Sequence, residues 1–341
     1  MYRPSVSPKG SLALVAGSDR VPAKLVNGVR NSGVFLVARA TVTVTVAAAT
    51  TLRNRGSVWA LIDEIVLDEN GTDKSIVRGN VLRYLSETSA PSALSAVRAQ
   101  TPVGVYNLEE ACFLRFADPL ALDPLETAFV EHDARQALNV LFRPAANFAN
   151  KMYTVGPATV VVSGLTVTVE QDYETPTAAG LKAPLFIPTI RQSVEQITGD
   201  VTQLPLYIRT TNAIRKMVIS QEDSVLGEVG DILRAIALKG DFKDIIGPTP
   251  MTIADMLLRS EFEFGGAVVS SNRAHIAFNF QRYGQLSESL NPAQDANLRL
   301  QVSALPSVLG VAAGGTSSLR ITTVELYRDP AVVAPSVPFA Y

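Results

Sequence analysis

The chain is patterned for strands. Residues 34–46 read VFLVARATVTVTV and residues 158–169 read ATVVVSGLTVTV, with apolar side chains alternating with small polar ones. That alternation is the period of a strand with one face in a core. Further strand signals lie at residues 58–67, in ACFLRFAD from Ala111, at residues 136–142, and in PLYIRTTNAIRKMVIS from Pro205. Three more follow in RAHIAFNFQR, ANLRLQVSAL and SLRITTVELY. Helical spacing is brief, confined to GNVLRYLSE from Gly79 and TIADMLLRS from Thr252.

The pattern is written twice. Setting Gly56 on Gly227 places Val58 on Val229, Leu61 on Ile232, Ile62 on Leu233, Ile65 on Ile236 and Leu67 on Leu238. In each copy a polar stretch follows (DENGTDK, then KGDFKD), then an apolar pair (Ile76 and Val77, then Ile245 and Ile246), then the short helical segment. The correspondence returns at the end of each copy, where Leu165, Val167 and Tyr173 match Leu319, Ile321 and Tyr327. Two copies of one long unit exclude a solenoid, which repeats a shorter period three or more times. Asn70-Gly71 is the strongest hairpin signal, since both residues tolerate the positive φ of a tight primed turn.

These units divide the chain. Residues 1–30 mix Pro, Ser and Gly with Arg3, Lys9, Arg20, Lys24 and Arg30 against the single acid Asp19, and read as an N-terminal arm. Residues 31–174 form the first sandwich, 175–203 a Pro- and Thr-rich linker, and 204–330 the second sandwich. Residues 331–341 form an extended, uncharged tail. The expected fold is all-β, two tandem eight-stranded jelly-roll sandwiches with short helices in loops, an arrangement that hides sheet edges.

Composition narrows the function. The 341 residues are 47% hydrophobic and 18% charged with a net charge of -2, so the body of the protein offers no global attraction for nucleic acid. One cysteine, Cys112, excludes a disulfide framework and a cysteine-built zinc site. Arg39 and the threonines interrupt the most apolar region, so a membrane span is not expected. The patch LALVAG lacks a cleavage site, so neither is an export signal.

Catalytic constellations are poorly supplied. His132 in EHDARQ and His275 in NRAHIAF are the only histidines, and no nucleophile elbow or phosphate-binding glycine loop occurs. Glu109-Glu110 and Glu222-Asp223 could offer a carboxylate pair, but adjacent charges are ordinarily solvated. Asp68, Asn70 and Asp73 imitate the start of a calcium loop without its distal glutamate, and read as a turn. Arg53 and Arg55 sit in a turn, and one tryptophan, Trp59, is a thin basis for a sugar or base platform. No catalytic, cofactor or metal site is expected.

The duplicated layout resembles the double jelly-roll major capsid proteins of tailless icosahedral viruses, the lineage of tectiviruses, corticoviruses and adenoviruses. The resemblance is carried by VFLVARATVTVTV, ALIDEIVLDENGTDKSIVRGNVLRYL, FADPLALDP and GLTVTVE in the first unit. In the second it is carried by LPLYIRTTNAIRKMVISQED, GDILRAIALKGD with TIADMLL, and SLRITTVELY. It implies a structural virion protein of a bacteriophage. Homotrimers with a pseudo-hexagonal outline would tile an icosahedral capsid, and assembly would take place in the host cytoplasm. It implies as partners the protein itself, neighbouring capsomers, other capsid and vertex proteins, and an internal viral membrane, with no sequence-specific nucleic acid contact. Arg3, Lys9, Arg20, Lys24 and Arg30 would face that membrane, while residues 86–101 and 310–318 are candidates for the outer rim. The alternative is a carbohydrate-binding or adhesin-like tandem sandwich; a sandwich-fold hydrolase is a third reading.

Overall fold

The computed structural model describes residues 5–26, 29–46, 51–52, 57–89, 103–116, 129–130, 137–155, 159–174, 186–230, 232–241, 244–252, 274–280, 289–292, 297–309 and 316–328. It divides into two compact units, one running to Ile190 and the other comprising Arg191–Tyr327.

The first unit has eight principal strands. They are β1 (Ser5–Ala13), β2 (Val21–Lys24), β3 (Arg30–Val44), β4 (Ile62–Glu69), β5 (Thr72–Val77), β6 (Gly104–Arg115), β7 (Leu138–Pro144) and β8 (Val160–Glu174). They build two antiparallel sheets in the orders β1-β8-β3-β6 and β2-β7-β4-β5. The chain therefore passes repeatedly from one sheet to the other, which is the wrapping of a jelly roll.

Along β3 the alternation is realised residue by residue. Val34, Leu36, Ala38, Ala40, Val42 and Val44 are buried, while Phe35 and Arg39 are exposed. The β4-β5 hairpin turns at Asn70 (φ 53°) and Gly71 (φ 80°), as the sequence predicts. Residues 58–61, expected as strand, instead form a 3-10 turn, because the Ser57 hydroxyl accepts the Trp59 N–H and caps it. Helix α1 (Gly79–Ser89) packs on that turn, and α2 (Phe148–Met152) precedes β8. The closeness of α1 requires Gly79, since a Cβ there would overlap the Trp59 carbonyl.

The second unit repeats the plan. Its strands are β9 (Phe186–Ile197), β10 (Val201–Tyr207), β11 (Ala213–Asp223), β12 (Leu233–Lys239), β13 (Asp244–Thr252), β14 (His275–Asn279), β15 (Arg299–Ala304) and β16 (Ser317–Arg328). The sheets are β9-β16-β11-β14 and β10-β15-β12-β13, so adding eight to each strand of the first unit gives the second. The aligned pairs Ile62/Leu233, Ile65/Ile236 and Leu67/Leu238 are all buried on β4 and β12. Met217, Ile219, Ile236, Leu238, Leu300, Val302 and Leu319 close this core.

Two boundaries move. Residues 5–24, expected as an arm, supply β1 and β2, each an edge strand of a first-unit sheet. Residues 186–203, expected as linker, supply β9 and the start of β10 in the same roles. Each of these four strands carries a proline (Pro8, Pro22, Pro188 and Pro205), and an edge strand tolerates proline because its outer N–H groups need no ladder partner. The helix expected from Thr252 lies outside the described residues beyond that residue, which ends β13, as do residues 117–124 of FADPLALDP, the tail at 331–341 and most of both rim candidates.

Candidate functional site

The carboxylate pairs do not converge. Glu109 and Glu110 leave opposite faces of β6, as consecutive strand residues must. Glu109 is exposed and accepts from Arg39 Nε at 3.0 Å. Glu110 points inward, accepts from the Ser57 hydroxyl at 2.6 Å and lies 3.7 Å from Arg83 Nε. Glu222 and Asp223 diverge in the same way. Arg320 donates to Glu222 at 3.0 and 3.3 Å, whereas Asp223 accepts the N–H groups of Val225 and Leu226 in the turn after β11.

His275 lies in a buried polar set. Its Nδ1 is 2.8 Å from the Ser220 hydroxyl and its Nε2 is 3.3 Å from Glu228. Sequence reasoning had no signal for Glu228, which is brought close by a two-residue strand, Gly227–Glu228, paired to the end of β11. The three side chains have the composition of a hydrolase triad, but Ser220 is 0% exposed and sits mid-strand. No substrate reaches its hydroxyl there, and the set serves as a satisfied polar core. His132, Arg53 and Arg55 lie outside the described residues.

The turn at Asn70 is no calcium loop. Asp68 accepts from Asn139 and from the Gly71 N–H, while Asp73 turns away to Arg20. Among the described residues no group of three His, Cys, Asp or Glu side chains is placed to hold a metal. Trp59 is fully buried and cannot stack on a sugar or base. Of the basic N-terminal residues, Arg20 does not face a free surface as a lone charge. It bridges Glu64 at 3.1 Å and Asp73 at 3.0 Å, and these carboxylates hold its guanidinium above its ordinary pKa against the opposing effect of burial. Lys24 is exposed on β2, and the side chains of Arg3, Lys9 and Arg30 lie outside the described residues.

Two open concavities among the described residues lie in the second unit. These adjoining hollows, of about 580 and 650 Å³, share Arg191, Tyr207, Ile208, Arg209 and Thr210. At the inner wall Glu325, 1% exposed, accepts from Thr210 Oγ1 (2.7 Å), Asn212 Nδ2 (2.9 Å) and Thr323 Oγ1 (2.6 Å), with Arg191 Nε at 3.6 Å. At the foot of β9, Asp200 accepts the Ser307 hydroxyl and N–H, which holds its carboxyl below the usual range. Nothing in the alternating pattern marked this hollow: Pro205 to Thr210 and Ile321 to Glu325 lie in stretches read as strands, but Arg191 to Glu195 lie on β9, which read as linker.

No protein-family model and no curated protein matches the sequence. Solved structures do match. A crystal structure of the STIV MCP is 14% identical, with a TM-score of 0.71, and the match covers 96% of this chain and 97% of that one. The atomic structure of Sulfolobus Turreted Icosahedral Virus gives 15% identity, a TM-score of 0.69 and coverage of 96% and 91%. The major capsid protein P2 of bacteriophage PM2 gives 13%, 0.59 and coverage of 96% and 99%. At these identities the likeness is one of fold, and it runs end to end: the chain has the double jelly-roll fold of those viral major capsid proteins.

Proposed function

We propose that the chain is a viral major capsid protein whose principal partner is another copy of itself. One observation carries the reading: the same eight-strand sandwich occurs twice, in the same order, across nearly the whole length of the chain and of its structural neighbours. Two similar units per chain give a trimer six similar sides, which tile a nearly flat lattice around an icosahedral particle. The virion shell is then its place of work, with the host cytoplasm as its site of assembly and neighbouring capsomers and vertex proteins as further partners. The role is structural, with no cofactor and no reaction.

Light scattering after size exclusion tests this. The expected species is a trimer of three 36.4 kDa chains that proceeds to sheets or shells under electron microscopy. A monodisperse monomer at high concentration, with no assembly, overturns it.

Within the same reading an internal membrane lies beneath the shell, faced by Arg3, Lys9, Lys24 and Arg30. Each basic residue near an anionic surface contributes about 1 kcal/mol. Deleting residues 1–30 would remove β1 and β2, so the test is charge reversal at those four positions. Loss of membrane from otherwise intact particles is expected, and full retention removes the membrane assignment alone.

A further inference from the structure

The two sandwiches solve one local problem with different chemistry. In the first unit the loop after β2 is anchored by Leu25 N–H donating to Leu138, and in the second the loop after β10 by Ile208 N–H donating to Leu298, both at 2.9 Å. A buried side chain of the last strand then pins each loop. In the first unit it is neutral Gln171, which accepts the Val26 N–H at 2.6 Å and donates to the Val26 carbonyl at 3.2 Å. In the second, at the position matched to Gln171, it is Glu325, gripping Thr210 and Asn212. The residue following the anchor is Val26 in one and Arg209 in the other.

An amide suffices to pin such a loop, as the first unit demonstrates. A buried carboxylate carries a desolvation cost that the amide avoids. Its presence at Glu325 coincides with two guanidinium groups at this loop, Arg191 and Arg209, the latter standing where the first unit has Val26. Arg191 has its Nε 3.6 Å from Glu325, and its side chain, 57% exposed, lines the hollow. Arg209 makes no hydrogen bond or ion pair among the described residues, yet the loop that carries it is held before Arg209 by the Ile208 N–H bond to Leu298 and after it by Glu325. The larger hollow is lined by these arginines with Tyr207, Thr210, Thr211 and Asn297; no carboxylate is among its described lining residues, while Glu195 and Glu325 line the adjoining hollow and Asn297 donates to Asp241.

We propose that this hollow binds an oxyanion, a phosphate or phosphate monoester, between Arg191 and Arg209. Two planar guanidinium forks flanked by hydroxyl groups supply more donors than one carboxylate has acceptors, and they match the several oxygens of a phosphate. Glu325 acts as a positioning residue, holding Arg191 and the Arg209 loop before the anion arrives. The site is independent of the capsid reading.

Titration calorimetry of the full-length protein with inorganic phosphate, up to about 20 mM, tests it. Saturable binding is expected, weakened about tenfold or more in Arg209→Ala and in Arg191→Ala, and only partly rescued by Arg209→Lys. Arg234→Ala, at an exposed position on β12, is expected to bind as the parent does. Because Arg209 is exposed and unpaired among the described residues, its alanine variant keeps the fold, which an unchanged thermal midpoint verifies. Co-sedimentation with phosphatidylcholine vesicles containing phosphatidic acid separates the sources. Capture that inorganic phosphate reverses assigns a lipid headgroup, and phosphate binding without capture assigns a soluble ion. No saturable phosphate binding, or equal binding by Arg209→Ala, overturns the proposal.

Discussion

Replacing Glu325 measures how much one buried carboxylate contributes to the second sandwich. Its two oxygens accept from three neutral donors at 2.6 to 2.9 Å, with Arg191 more distant at 3.6 Å. Bonds to a charged acceptor contribute about 1.5–3 kcal/mol each, and losing the acceptor strands its donors. The adjoining hollow admits water, which offsets part of that loss. Glu325→Ala is therefore expected to cost about 3 kcal/mol. Glu325→Gln keeps one carbonyl oxygen for Thr210 and Asn212, and the Thr323 hydroxyl can rotate to accept from the new amide. It loses charge assistance only, at a cost of about 1 kcal/mol. Amide hydrogen exchange resolved by mass spectrometry, followed on peptides spanning residues 208–214, reads the difference locally. Opening should rise about a hundredfold in the alanine variant and about fivefold in the glutamine variant, at tenfold per 1.4 kcal/mol. Exchange within twofold of the parent in Glu325→Ala, or a glutamine variant worse than alanine, would refute the account of the loop as pinned by this carboxylate.

Ile65→Ala and Ile236→Ala occupy matched buried positions and should each cost about 3 kcal/mol by guanidinium unfolding, with one harmless and one severe substitution contradicting the equivalence of the cores. Gly71→Val forces a β-branched residue to φ 80° and should cost about 1–3 kcal/mol, read as faster exchange in the β4-β5 hairpin. Gly79→Ala drives a methyl into the Trp59 carbonyl and should cost about 1–3 kcal/mol, visible as altered fluorescence of the single tryptophan. Burial, with a smaller effect of Tyr106, pushes the Tyr153 hydroxyl from 10.0 up to about 12. The folded state thus keeps a proton there that the unfolded chain releases, and the stabilisation from this group is complete below pH 10 and lost between pH 10 and about 12. Tyr153→Phe should flatten that part of the pH profile.

Much of the fold was legible because the informative strands are central ones. β3, β8, β11 and β16 each have a neighbour on both sides, so their residues alternate or run apolar without interruption. The Asn70-Gly71 turn was legible because few residue pairs accept positive φ. The edge strands that open each unit were not. In SVSPKGSLA and FIPTIRQSVEQI the prolines and polar residues read as arm and linker, yet each pairs along one side only and needs no continuous ladder. Val58 to Leu61 failed for another reason: their burial is as complete as in a strand, but the Ser57 cap selects a 3-10 turn.

The candidate sites divide along the same line. That Glu109 and Glu110 part company follows from strand geometry alone, and the pairs Leu165/Leu319 and Val167/Ile321 set the register that matches Gln171 to Glu325. By itself, then, the sequence determined that one sandwich is written twice and which residues fill each core, because alternation and spacing are local properties. Only the tertiary structure decided that the supposed arm closes a sheet and that Arg20 is neutralised by Glu64 and Asp73. It alone brought Arg191, Arg209 and Glu325 together around one hollow. Those outcomes depend on side chains well separated along the chain, or on strands whose second edge is open, and no local pattern records them.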